Sequence, residues 1–157
     1  MRRRVVSMVD RPTYSSKTPC VGLCSTVYGD QVCRGCKRFS HEIVDWNRYD
    51  THARAAVWQR LEQLIEQVIM ARVELVSAVE LNRALEYYKV AVDAAMPLGM
   101  KVLRLLARLG DEPLGAAGLR LRGEWVSMPT RQLRDDVDQA FFALSQAYYD
   151  RRMPPVA

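Results

Sequence analysis

The sequence predicts a mainly α protein with three parts: a small four-cysteine metal-binding head, a long amphipathic helix, and a helical bundle extension. Three observations carry this. All four cysteines fall within one short stretch, as Cys20-x-x-x-Cys24 and Cys33-Arg34-Gly35-Cys36. Neither Gly nor Pro interrupts residues 51–95. Within that stretch Val57, Leu61, Leu64, Val68, Ala71, Leu75 and Ala78 recur alternately four and three apart, which is a heptad seam. The expected organisation is a basic arm over residues 1–18, a cysteine-rich head over 19–50, and a helical region over 51–157 with a loop at about 110–129.

The elements follow in order. Residues 1–18 are polar and basic, and Arg2-Arg3-Arg4 reads as an exposed charged terminus. Between the cysteine pairs, Val27-Tyr28-Gly29-Asp30-Gln31-Val32 sets a Gly-Asp turn among β-capable residues and predicts a tight hairpin. Ser40 is a suitable N-cap for a short helix through Trp46, and Asp50 or Thr51 for the long one. Trp58, Ile65, Ile69, Val76 and Val79 widen the apolar stripe of that helix. It is expected to exceed about 40 residues or to break softly near Asn82, and such length favours a helical hairpin or a homodimer through the long helix.

Pro97 and Gly99 mark a boundary, after which Met100 to Leu109 reads as an apolar helix stopped by Gly110. Leu119 to Val126 alternates well enough for a small hairpin inside the loop. Thr130 then caps a last helix with Leu133, Val137, Phe141, Leu144 and Tyr148 on one face.

Charge and size narrow the function classes. The chain has 157 residues and a formal charge of +5. Four thiolates around one Zn²⁺ contribute a net −2, leaving a mild excess of about +3. That permits a nucleic-acid or acidic-protein partner without requiring one. No stretch approaches the ~18 consecutive apolar residues of a membrane span, so no membrane partner is expected. The basic N-terminus never reaches the apolar run of about 7–15 residues that a secretory signal needs. A reducing cytoplasm is therefore the expected setting, where clustered cysteines read as metal ligands rather than disulfides.

Two close pairs suit a four-thiolate site, because each pair grips one edge and the chain between them need only reverse. Cys20, Cys24, Cys33 and Cys36 are the expected ligands. Gly35 permits the tight backbone that aims amides at sulfur, while Arg34, Lys37 and Arg38 offset the thiolate charge. Zinc typically supplies ~10–16 kcal/mol of apparent binding energy to such a segment. Val21, Leu23, Val27 and Val32 are almost the only core residues 19–38 offer. Zinc is the expected metal and an iron–sulfur cluster the alternative, since both accept four cysteines. His41 could replace one ligand, although a solvent-facing histidine at a helix start is the plainer reading.

The segments Pro19-Cys20-Val21-Gly22-Leu23-Cys24 and Cys33-Arg34-Gly35-Cys36-Lys37-Arg38 carry a resemblance, together with Glu42-Ile43-Val44-Asp45-Trp46 and Arg54-Ala55-Ala56-Val57. Together they resemble the bacterial YdhL-like family of unknown function (domain of unknown function 1289), often labelled a predicted iron–sulfur protein. The resemblance covers roughly residues 19–62. It implies a cysteine-rich head followed by a Trp-bearing helix, with the same four cysteines as ligands, and it supplies no activity. Phe39 departs from the family pattern, which usually has Thr after the Arg.

A four-cysteine site leaves no open position for a catalytic water. Two histidines in the chain also offer little for acid–base work. The expectation is a non-enzyme: a metal-stabilised adaptor for a protein or RNA partner, or alternatively an iron–sulfur redox or sensor protein. Arg34, Lys37 and Arg38 are the candidate partner or nucleic-acid contacts. Phe39 and Trp46 are expected to pack the head onto the long helix rather than to stack on bases. Tyr87-Tyr88, Met96, Met100, Phe141-Phe142 and Tyr148-Tyr149 are expected to be core, with a ligand cavity as the less ordinary reading.

Overall fold

A computed structural model describes residues 17–22 and 24–153. The Arg2-Arg3-Arg4 arm, Leu23 and the last four residues lie outside the described residues. The chain divides into two compact units after Leu61. Its described residues are mainly helical, with five α-helices and one two-stranded sheet.

In the first unit, residues Ser25–Tyr28 form a 3₁₀ turn closed by Gly29, which sits at φ 97° and donates its amide to the Thr26 carbonyl. The predicted hairpin at 27–32 is therefore not formed. Val27 and Tyr28 stand exposed with no strand opposite them, so nothing rewards an extended conformation there. The reversal occurs later, at the second cysteine pair. Val32 bridges Phe39 antiparallel, flanked by amide bonds from Cys33 to the Arg38 carbonyl and from Ser40 to the Gln31 carbonyl.

Helix α1 (Ser40–Asp45) follows at once. Its N-cap is Phe39, one residue before the predicted Ser40, because the Ser40 amide is already spent on Gln31. The Glu42 carboxylate accepts the Phe39 amide at 2.8 Å instead. Asp50 caps helix α2 (Thr51–Arg72) as expected, accepting the Ala53 amide at 2.8 Å. The division between units falls within α2.

Helix α2 is shorter than the heptad pattern predicts. It stops at Arg72, whose guanidinium bonds back to the Val68 carbonyl, and the chain enters strand β1 (Val73–Leu75). Ser77 then accepts the Glu80 amide and starts helix α3 (Ala78–Tyr87). Leu61, Leu64, Ile65, Val68 and Ile69 are buried within the single chain, whereas Ala71, Leu75 and Ala78 are not.

Helix α4 (Leu98–Leu109) ends at Gly110 as predicted. Strand β2 (Leu119–Leu121) pairs antiparallel with β1, Glu74 opposite Arg120, rather than folding onto its own neighbours as a local hairpin. The residues after it form a 3₁₀ turn, Gly123–Trp125, which cannot serve as a returning strand. Helix α5 (Thr130–Arg152) packs on α4 and buries Leu133, Val137 and Phe141. Met96 and Met100 are also core, but Tyr87 is largely exposed. Among the described residues, no helix is long and apolar enough to cross a membrane.

Two glycines let backbone elements of the second unit meet. Gly118, at φ 70°, brings its carbonyl to the Val76 and Ser77 amides, and a Cβ there would collide with the Ser77 carbonyl oxygen. Gly99 donates its amide to the Glu66 carboxylate, and a Cβ would lie 2.8 Å from the Glu66 Cα. That neighbour is helix backbone and cannot swing aside. Gly99→Ala is expected to cost about 1–3 kcal/mol, the usual range for overpacking. Urea unfolding followed at Trp125 would read it.

Candidate metal centre

The second cysteine pair forms a knuckle. Residues 31–33 and 38–40 are its two arms, and Arg34 to Lys37 turn between them, with the Lys37 amide bonded to the Cys33 carbonyl at 2.8 Å. Lys37 closes the turn in the left-handed region, at φ 66°, which a non-glycine residue adopts at some cost. Its ammonium folds back onto the carbonyls of Arg34 and Gly35. Those contacts hold the strained residue in place.

Hydrogen bonds converge on the knuckle's sulfurs. Burial pushes the Cys33 thiol up, but the amides of Cys36, Ser25 and Gly35 and the Cys36 side chain together carry it below the usual thiol value. Donors aimed at sulfur favour the thiolate, the form that binds metal. Burial dominates at Cys36 and raises its thiol, although Arg38 opposes this by donating from Nε at 3.3 Å. Donors converge on one sulfur, and the other keeps a cation beside it.

Behind the knuckle, aromatic rings and arginines interleave. The Arg38 guanidinium lies 4.9 Å from the Trp46 ring centroid, and that of Arg54 lies 5.6 Å from the same ring. Arg60 of α2 lies over Phe39 at 3.9 Å and clamps the buried Glu42 carboxylate through two bonds of 2.6 Å. Phe39 and Trp46 are thus core residues that join the knuckle to α1 and α2, as the sequence predicts. The Glu42–Arg60 pair was not anticipated. It joins residues eighteen apart, and neither stands out from the other charges of its segment.

The partner assignment for the basic residues needs correction. Lys37 is 1% exposed and Arg38 is 4% exposed, so neither can meet a partner at the surface. Their charges are spent on backbone carbonyls, sulfur and an aromatic ring. Arg34 alone of the three is exposed, and it pairs with Asp30 at 3.4 Å.

The first cysteine pair is arranged differently. Cys24 is half-buried, with Sγ 3.0 Å from the Thr26 hydroxyl. Its neighbour Ser25 touches the knuckle twice, giving its amide to Cys33 Sγ and accepting the Arg34 amide at 2.8 Å on Oγ. Cys20 is exposed, and its sulfur accepts the Gly22 amide at 3.3 Å. All four thiols are free of disulfides. Among the described residues, no group of three or more His, Cys, Asp or Glu side chains is placed to hold a metal ion. The structure therefore brings Cys33 and Cys36 together and leaves Cys20 and Cys24 outside that pair. His41 is exposed, its ring 5.9 Å from that of Phe39.

A thiol knuckle with amide donors on sulfur, locked by cation–aromatic stacking to the start of a long helix, defines a small cysteine-bearing helical head. Residues 18–64 match the model of the family described as "Protein of unknown function (DUF1289)". The resemblance carried by the cysteine and tryptophan motifs is borne out, with nearly the same limits. The match covers less than a third of the chain, and residues 65–157 lie outside it. No curated protein and no solved structure matches the chain.

Proposed function

We propose that residues 18–64 are a metal-binding head in which Cys20, Cys24, Cys33 and Cys36 hold one zinc ion, and that the head is a non-catalytic interaction module. The observation that carries this reading is the knuckle. Three amides are directed at Cys33 Sγ and an arginine at Cys36 Sγ, a donor set that suits a thiolate pair. Cys33 and Cys36 would form one edge of the site, and zinc would supply the cross-link that draws in the other two cysteines. A cluster would use the same sulfurs, and its colour and iron content separate it from zinc.

The surface of the head favours a protein partner over RNA. Among the described residues, the burial of Lys37 and Arg38 reduces the basic surface beside the knuckle that could meet phosphate. Tyr28 is 90% exposed and Val27 74% exposed on the turn beside the knuckle, and apolar side chains held in water suit a protein interface. Tyr28→Ser combined with Val27→Asp is expected to weaken capture of the cognate partner at least tenfold while leaving bound metal unchanged. Crosslinking in cells followed by affinity capture reads the first effect, and metal analysis the second. Salt-sensitive binding to single-stranded RNA, unaffected by these changes, would count against the reading.

A further inference from the structure

Of the aromatic pairs that the sequence singles out, Tyr87 and Tyr88 do line a cavity. It is an open pocket of about 420 Å³ in the second unit, between the end of α3 and the 3₁₀ turn Leu114–Ala117. Its buried floor is Ala84, Leu109 and Ala117, and Ala116 stands exposed at its edge. Alanine has nothing beyond Cβ, so the surface these residues leave is smooth and apolar. The tyrosine rings meet edge to face, with centroids 4.9 Å apart and planes at 81°. That arrangement leaves aromatic faces open to a further ring.

One charged side chain, Arg83, lines the same pocket. It precedes Tyr87 by four residues on α3, which puts the two on one helix face. Arg72, Arg120, Arg131 and Arg134 of this unit each meet a carboxylate, whereas among the described residues none reaches Arg83. A guanidinium beside an apolar floor, with no acid of its own, offers a planar fork that a carboxylate matches through two bonds. The Glu112 charge acts instead at Tyr88, where burial and then that charge hold the phenol above its usual pKa. A bound anion is therefore oriented, with its carboxylate at Arg83 and its ring toward Tyr88.

We propose that this pocket binds a small aromatic carboxylate, its ring on the alanine–leucine floor against the tyrosines and its carboxylate paired with Arg83. A concave, mostly apolar site with a few placed polar groups is the usual form of a small-molecule site, and the volume lies within the usual range. Each part of the ligand answers one feature: the flat floor and tyrosine faces call for a planar ring, and the unpaired guanidinium calls for one negative charge. The pocket lies wholly in the second unit, so its occupancy is independent of metal binding by the head.

The test is an NMR titration of the full chain with naphthylacetate and with its neutral isostere naphthylacetamide, followed at Tyr87, Tyr88 and Leu109. The acid is expected to bind at least ~tenfold tighter than the amide, the usual scale of a hydrogen bond to a charged partner. Arg83→Gln should lower the acid to the amide's affinity and leave the amide unchanged, a split that general damage to the pocket would not produce. Ala116→Leu, at an exposed position outside the core, should fill the pocket and weaken both ligands. Equal binding of acid and amide by the parent protein would overturn the proposal. So would the absence of a saturable shift at millimolar naphthylacetate, or shifts centred elsewhere in the unit. Tighter binding of the peptide Ac-Ala-Ala-Phe with a free C-terminus would also overturn it, by assigning the pocket to the chain end of a partner protein.

Discussion

Replacing Glu42 by alanine is expected to destabilise the head by about 3–5 kcal/mol, the usual consequence of removing one partner of a buried ion pair. Glu42 and Arg60 are both nearly buried, and the carboxylate meets the guanidinium through two bonds of 2.6 Å. The same carboxylate accepts the Phe39 amide at the start of α1. The variant therefore leaves a guanidinium in a low-dielectric site and removes the helix cap. The loss should appear as faster hydrogen exchange across residues 33–46, with residues 98–152 unchanged. Glu42→Gln keeps the shape and one acceptor and should lose less. Combining Glu42→Leu with Arg60→Met should recover only part of the stability, because an apolar pair has no charge to desolvate but leaves the Phe39 amide without its acceptor. If Glu42→Ala alone left exchange unchanged, the pair would not be what joins α1 to α2.

The second large effect concerns Cys33. Serine can still accept the amides of Ser25, Gly35 and Cys36, so Cys33→Ser should preserve the knuckle's hydrogen bonds while removing the thiolate. The expected result is a loss of zinc affinity of at least ~100-fold, the upper end of what even outer-shell changes cost at metal sites. Competition with a chromophoric chelator would measure it. Cys20→Ser should give a comparable loss if all four cysteines bind the ion, although Cys20 is exposed. Equal affinity for the Cys20→Ser variant and the parent protein would reduce the ligand set and remove Cys20 from it.

What the sequence discloses and what it hides follow the range of the interactions. Gly110, Asp50 and the apolar face of Leu133, Val137 and Phe141 are local signals, and each appears where its chemistry requires. The cysteine spacing and Gly35 likewise pointed to the knuckle. The end of α2 was harder to read. Val73, Glu74 and Leu75 fit the helical period, and they become a strand only because Leu119 to Leu121, more than forty residues later, pairs with them. Ser77 with Glu80 three residues on was the one local sign of a new helix start. The fates of Lys37 and Arg38 were also hidden. A basic side chain in a cysteine-rich turn normally faces water, and only the left-handed backbone at Lys37 and the Trp46 ring behind Arg38 turn them inward.

The most direct test of the central claim is metal content with an absorption spectrum, on full-length protein purified without oxygen. The account predicts about one zinc per chain and no visible absorbance, with the zinc lost in Cys33→Ser. Iron with sulfide and a broad band near roughly 400 nm would replace zinc with a cluster on the same sulfurs. Protein free of both metals, its four thiols free or oxidised, would contradict the claim that these cysteines form a metal centre.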